Sequence, residues 1–116
     1  MKFLCYPKCS TCQKAKKWLE NNNIAFEERN IKENNPNFDE LKGWYEKSGL
    51  AIRKFFNTSG LLYKSMNLKE KLVDMSEEEQ LKLLSTDGML VKRPIVITDD
   101  TVIVGFKELE WDEKLQ

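Results

Sequence analysis

Two closely spaced cysteines, at the junction of an apolar segment and an amphipathic one, constrain this chain most. Cys9 and Cys12 enclose Ser10 and Thr11, and the mostly apolar residues 3–6 precede them. After the pair, hydrophobic residues recur at three- and four-residue spacing, with lysines on the opposite side, which predicts a helix. The pattern therefore predicts a buried strand, a turn, and a helix that begins at the cysteines.

The start of a helix favours an anion, because its first backbone N–H groups have no partner within the helix. A thiolate is such an anion, so we expect Cys9 to ionise and to be the attacking sulfur. Cys12 lies one helical turn further on, where it can close a disulfide with Cys9. Cys5 lies inside the apolar run and is interpreted as a small core residue. Together these residues predict redox thiol chemistry.

Length and charge exclude several other classes of protein. The chain has 116 residues, which suits one domain, and its 19 basic and 19 acidic residues give no net charge. Without a basic field, neither nucleic acid nor a membrane surface is an expected direct partner. No apolar run is long enough to predict a transmembrane helix or a signal peptide. We therefore expect a cytoplasmic, monomeric protein.

A metal site is the first alternative to redox chemistry for a CxxC pair in a reducing compartment. Structural zinc takes four thiolate or imidazole ligands, whereas this chain has 3 cysteines and no histidine. A second alternative is that both cysteines only begin the helix and carry no chemistry. The strand, CxxC and helix in succession favour a thioredoxin-like redox motif over both alternatives.

The remaining segments predict a mixed α/β fold. Asn37 with Glu40, and Ser76 with Glu79, have the spacing of capping boxes that begin helices. The expected order is strand, helix and strand, then a helical insert, a β-hairpin and a final helix, which is the thioredoxin-like order. The predicted ranges are an edge strand at 25–31, three helices of the insert at 37–48, 61–72 and 76–84 with a short helical turn at 51–56, strands at 95–98 and 101–104, and a helix at 106–115.

Over essentially its whole length the chain resembles the arsenate reductase (ArsC) and Spx proteins. The resemblance is carried by residues 6–15, 26–31, 93–95 and 104–106, and the first and third segments together are specific. It implies a single thioredoxin-like domain over residues 1–116, with a mixed sheet and a helical insert of three helices at about 37–86. It also implies that Cys9 is redox-active and that Pro94 follows a cis peptide bond facing it.

Arginines govern how far the activity carries over from this resemblance. In arsenate reductases of this type, three arginines surround the cysteine and bind the oxyanion. Arg53 and Arg93 resemble two of them, but the third position falls at about Gly105. Lys107 is nearby, although it lacks the planar fork with which arginine holds an oxyanion. The missing arginine argues against arsenate reduction.

The first functional hypothesis is a small thiol–disulfide redox protein. Cys9 ionises with help from Arg93 and Arg53, Cys12 resolves the adduct, and a glutaredoxin- or thioredoxin-type reductant resets the pair. No bound cofactor is expected. The second hypothesis is an Spx-type regulator, in which the CxxC is a redox switch and the partner is the C-terminal domain of the RNA polymerase α subunit. The third is a catalytically silent family member.

Overall fold

A four-stranded mixed sheet organises the computed structural model, which describes residues 1–116. In spatial order the strands are β2, β1, β3 and β4; β1 pairs parallel with β2, and the other neighbours are antiparallel. The predicted second strand therefore lies at an edge of the sheet, as expected. The strand bounds are β1 Lys2–Cys5, β2 Glu27–Asn30, β3 Ile95–Ile97 and β4 Val102–Val104.

Six α-helices and three short 3₁₀ helices accompany the sheet. None of the helices has the length and apolar character needed to cross a membrane. The α-helices are α1 Ser10–Asn21, α2 Phe38–Ser48, α3 Leu61–Ser65, α4 Leu68–Lys71, α5 Glu77–Leu84 and α6 Glu108–Leu115, and the 3₁₀ helices are Ile52–Phe55, Leu72–Asp74 and Gly88–Leu90.

Local sequence signals account for the two best-defined helices of the insert. The side chains of Asn37 and Ser76 each accept a hydrogen bond from a backbone N–H three residues on. The carboxylates of Glu40 and Glu79 accept one in turn from the backbone N–H of Asn37 and Ser76. Both predicted capping boxes are thus confirmed. Helix α2 ends at Gly49, whose φ of 69° lies in the left-handed region that glycine adopts without strain.

The sheet has a core on each face because side chains alternate along β1. Phe3 and Cys5 point to one face, where they join a cluster with Trp18 of α1 and Trp111 of α6. Leu4 points to the other face and packs into the larger cluster formed with the helical insert. The alternation therefore places Cys5 under α1, on the same side as the cysteine pair.

Two sequence predictions differ from the structure. The segment 61–72 was expected to be one irregular helical segment, but it is divided by Asn67, whose φ of 55° is left-handed and separates α3 from α4. The insert accordingly holds four α-helices and not three. The last helix begins at Glu108 and not at 106, because the backbone of Lys107 is extended, with φ −130° and ψ 117°. Phe106 packs against Trp111 with ring centroids 4.7 Å apart.

Candidate thiol site

Cys9 occupies the position immediately before α1. Its backbone is extended, its N–H donates to Tyr6 O at 2.9 Å, and its carbonyl accepts from Gln13 N–H at 3.1 Å. No side chain caps this helix, and the first turn contains no acidic residue. The half-buried Cys9 thiol therefore stands beside unpartnered backbone N–H groups, a setting that favours an anion.

Cys12 lies in the first turn of α1 and is only 2% exposed. Its Sγ accepts a hydrogen bond from Tyr6 N–H at 3.3 Å. Interaction with the Cys5 thiol is the largest cause that lowers the Cys12 pKa; burial opposes it, and the Tyr6 N–H, Cys9 and the Arg93 charge add to the lowering. The second cysteine of the pair is thus held in surroundings that stabilise its thiolate.

Cys5 is more than the small core residue that the sequence predicted. It is 2% exposed, as expected, but its Sγ donates a hydrogen bond to Glu28 Oε2 at 3.5 Å. The pKa of Cys5 is raised, first by its interaction with Cys12 and then by burial and the charge of Glu28. The period of two along β1 signals this placement, because it puts Cys5 on the face that α1 covers. No pattern in the sequence indicates that Glu28 is the hydrogen-bond partner of Cys5.

Arg93 lies two residues before β3, close enough to Cys12 for its charge to lower the pKa of that thiol. The Arg93–Pro94 peptide bond is cis, the conformation that the family resemblance implied. The guanidinium carbon lies 5.4 Å from the centre of the Tyr6 ring, and Nε and Nη1 are buried with no hydrogen-bond partner. Buried donors of this kind cost free energy unless a partner is supplied, so Arg93 is ready to receive an anion.

A cavity of about 570 Å³ extends from Arg93 towards α3. Its wall includes Asn57, Ser59 and Asp87, so it offers polar groups of both signs. Arg53, the other arginine of the sequence prediction, lies exposed on the 3₁₀ helix Ile52–Phe55 and does not line this cavity.

The remaining predicted site residues frame the cysteines. Ser10 and Thr11 are exposed in the first turn of α1, and Pro94 is buried. The structure therefore places Cys9, Arg93 and Cys5 around Cys12, and leaves Arg53 at the surface. No group of three or more metal-ligating side chains is found in the structure.

This fold, with a CxxC pair opening its first helix, defines a thioredoxin-like protein with paired thiols. Residues 4–114 match the model of the ArsC family, so the chain belongs to that family.

Relatives in the family bear different names. The chain is 57% identical to the protein YusI of Bacillus subtilis over 96% of this chain and 94% of that protein. It is 31% identical to the regulatory protein MgsR of Bacillus subtilis, over 90% and 81% of the two chains, and 31% identical to the global transcriptional regulator Spx of Enterococcus faecalis, over 90% and 77%.

Solved structures show the same fold. An ArsC family related protein from Bacteroides fragilis superimposes with a TM-score of 0.94 at 57% identity, covering 97% of this chain and 94% of that one. A possible arsenate reductase from Streptococcus mutans gives a TM-score of 0.87 at 39% identity, covering 96% of each chain.

Proposed function

We propose that this chain is a cytoplasmic thiol–disulfide redox protein in which Cys9 is the nucleophile and Cys12 resolves its adduct. One observation carries the proposal: the more accessible thiol lies at an uncapped helix N-terminus, and a buried thiol follows in the first turn. A half-buried sulfur can meet a substrate, whereas Cys12 can be reached only from within the site.

The reaction balances as two exchanges. The Cys9 thiolate attacks an oxidised sulfur of the substrate, and one substrate thiolate leaves as the mixed disulfide forms. The Cys12 thiolate then attacks Cys9 Sγ, which releases the second substrate thiolate and leaves a Cys9–Cys12 disulfide. The substrate gains two electrons and the cysteine pair loses them. A glutaredoxin- or thioredoxin-type thiol reductant restores the dithiol.

Arg93 supports the same proposal as the anion-binding group. Its unpartnered Nε and Nη1 can hold a negatively charged substrate group, and its charge helps to keep Cys12 ionised. Arg53, placed at the surface, contributes less in this proposal than the sequence suggested. Because Gly105 stands where arsenate reductases have a third arginine, an organic disulfide is proposed as the substrate before arsenate.

Alkylation of the reduced protein tests the order of the two cysteines. With iodoacetamide near neutral pH, and mass spectrometry of the peptides, Cys9 should react first. Cys9→Ser should slow total alkylation on the order of a hundredfold, because the remaining thiols are buried. Cys12→Ser should leave Cys9 reactive and should abolish the intramolecular disulfide after mild oxidation. Faster alkylation of Cys12 than of Cys9 in the wild type would reverse the assignment.

An Spx-type regulator is the second candidate function. It is favoured by the relatives named MgsR and Spx, which this chain matches at 31% identity over 90% of its length. In this case the cysteine pair is a switch, and the partner is the C-terminal domain of the RNA polymerase α subunit. Ser59 stands where an Spx protein is expected to carry an arginine, which counts against this candidate.

A binding measurement separates the two candidates. The dithiol and disulfide forms of the monomer are each titrated against the purified C-terminal domain of the α subunit, with Cys9→Ser/Cys12→Ser as the control that cannot switch. A thiol oxidoreductase should show no binding in either form and should reduce a disulfide substrate catalytically. Affinity that differs between the two forms, and is fixed in the double variant, would instead establish the regulator.

A further inference from the structure

Cys5 is a third thiol beside the cysteine pair, and the proposed reaction does not use it. Cys5 and Cys12 are each 2% exposed, and their interaction is the largest cause of the pKa shift of both thiols. The N–H of Tyr6, the residue that follows Cys5, donates to Cys12 Sγ at 3.3 Å. Because Tyr6 N is two bonds from Cys5 Cα, this hydrogen bond holds Cys12 Sγ within about 6 Å of that atom.

A carboxylate faces Cys5 from the neighbouring strand. Cys5 Sγ donates a hydrogen bond to Glu28 Oε2 at 3.5 Å, and Glu28 Oε1 pairs with Lys16 Nζ at 2.8 Å. Glu28 lies opposite Phe3 in the parallel register, on the face of the sheet that α1 covers. A cavity of about 110 Å³ lies between these groups, and its wall comprises Cys5, Pro7, Cys12, Gln13, Lys16 and Glu28. The buried Cys5 thiol thus has a proton acceptor beside it that reaches solvent.

We propose that, once the Cys9–Cys12 disulfide has formed, Cys5 attacks Cys12 Sγ and moves the disulfide to the buried Cys5–Cys12 pair. Glu28 accepts the proton of Cys5 in this step, and Cys9 is released as a thiolate. The proposal rests on the proposed function, because that reaction supplies the Cys9–Cys12 disulfide. Its consequence is that the accessible nucleophile becomes free again while the protein remains oxidised.

The step is an exchange that needs no further oxidant or reductant. The Cys5–Cys12 bond forms as the Cys9–Cys12 bond breaks, and the electron pair of the broken bond leaves with Cys9 Sγ. Cys5 is oxidised by the same amount as Cys9 is reduced. The proton of Cys5 moves along its hydrogen bond to Glu28 Oε2, and Glu28 returns it to solvent from a side chain that is 35% exposed.

The surroundings of the three sulfurs favour this step. In the dithiol form, interaction with Cys12 is the first cause that raises the pKa of Cys5, ahead of burial and the charge of Glu28. A Cys12 sulfur that is bonded to Cys9 is no longer a thiolate, so this cause disappears when the disulfide forms. Cys9 is a good leaving group, because the unpartnered N–H groups at the start of α1 favour its thiolate.

Trapping of the released thiol tests the transfer. Reduced protein is oxidised with one equivalent of 5,5′-dithiobis(2-nitrobenzoate), freed of nitrothiobenzoate, and treated in its native state with iodoacetamide. The expected product carries the carbamidomethyl label on Cys9 and a disulfide between Cys5 and Cys12. Because alkylation is irreversible, it collects this product even where the Cys9–Cys12 disulfide is the major form at equilibrium.

Peptide mass spectrometry distinguishes the two disulfides directly. Tryptic cleavage after Lys8 separates Cys5 from the other two cysteines. The transferred disulfide therefore joins two peptides, whereas the Cys9–Cys12 disulfide lies within one. A protein that keeps the Cys9–Cys12 disulfide and is labelled on Cys5 or not at all would overturn the transfer and leave the proposed function standing. Label on Cys12, with a Cys5–Cys9 disulfide, would overturn the transfer as well.

Two cysteine variants separate the transfer from the reaction that precedes it. Cys5→Ser, which is close to cysteine in size, should form the Cys9–Cys12 disulfide and should take up no label on Cys9. If this variant and the wild type form no intramolecular disulfide, the proposed function and the transfer are both overturned. Cys9→Ser should no longer form the Cys5–Cys12 disulfide under the same treatment. Its formation there at the wild-type rate would show that Cys9 does not deliver the disulfide.

Glu28→Gln tests the proton acceptor, with iodoacetamide in large excess so that the transfer limits the labelling of Cys9. General base assistance contributes roughly 10²- to 10⁴-fold, so labelling of the oxidised variant should slow at least about tenfold at neutral pH. Cys5 and Lys16 are the titratable groups in contact with Glu28, and the raised pKa of Lys16 keeps its charge near neutral pH.

The pH profile distinguishes loss of a base from loss of structure. The deficit of Glu28→Gln should shrink as pH rises, because hydroxide can take the proton of Cys5 instead. Glu27→Gln removes the same charge from the neighbouring position, on the opposite face of β2, and should match the wild type. Labelling of Glu28→Gln at the wild-type rate, or a deficit that is constant with pH, would overturn the role of Glu28.

Discussion

The N-termini of α2 and α5 have side-chain partners for their first backbone N–H groups, whereas the N-terminus of α1 has none. Helices α2 and α5 close their first N–H groups with complete capping boxes and carry acidic residues in the first turn. Helix α1 has neither, although it is the longest helix of the chain. Under the proposed function, capping serves stability where a helix is structural, and it is left out at α1 because the Cys9 sulfur is to occupy the same place.

Helix α6 sharpens the contrast. It also lacks a side-chain cap, but Glu108 and Glu110 lie in its first turn and complement the helix dipole. Among the helices of eight residues or more, only α1 leaves both the N–H groups and the dipole without a side-chain partner. Buried contacts of Ala15, Trp18 and Leu19 stabilise α1 instead.

The largest expected effect comes from removing a structural cap. Ser76→Ala deletes the acceptor of the Glu79 N–H bond and should lower the free energy of unfolding by about 1 kcal/mol. Urea unfolding of the wild type and variant measures the loss, and the rate of Cys9 alkylation should not change. If that rate fell in step with stability, capping and thiol reactivity would not be separate properties of different helices.

A smaller effect should follow from giving α1 the charge that it lacks. Thr11→Glu places a carboxylate in the exposed first turn, where helix-dipole interactions amount to about 0.3–1 kcal/mol. The negative charge disfavours a thiolate at Cys9, so alkylation should slow roughly two- to fivefold near neutral pH. Thr11→Gln, which has the same size without the charge, is the control. Equal rates for both variants would show that the open helix end does not activate Cys9.

The smallest expected loss of stability comes from breaking the ion pair between Arg29 and Glu40, the residue that also belongs to the capping box of α2. Arg29 donates to both carboxylate oxygens of Glu40, at 2.7 and 3.0 Å, and this bond holds the pKa of Glu40 below its ordinary value. The stabilisation is present above the unfolded pKa of about 4.3 and is lost as pH falls through the folded value.

Glu40→Gln should therefore cost a few tenths to about 1 kcal/mol at pH 7, in the range of partly exposed pairs. Urea titrations should show this difference vanishing in acid, below the folded-state pKa of Glu40. Glu46→Gln, on the same helix but outside the cap, is the control. A difference that persisted unchanged in acid would assign the effect to the cap geometry and not to the charge.

Local signals explain what could be predicted from the sequence. The two capping boxes, the end of the second helix at residue 48 and the hydrophobic spacing of α1 depend on residues a few positions apart, and the structure confirms each of them. The break at Asn67 was missed, because nothing in the neighbouring sequence requires asparagine to adopt a positive φ.

The sequence by itself determined the order of the elements, the CxxC pair at the start of α1, and the family to which the chain belongs. All three can be recognised from short motifs and from the spacing of residues that are close together in the chain. Only the tertiary structure decided that Cys5, Cys12 and Glu28 share one cavity, and that Arg93 lies beside the thiols while Arg53 does not line the cavity next to it. The physical reason is that a parallel pairing of β1 with β2 joins residues 23 positions apart, and no local pattern records such a contact.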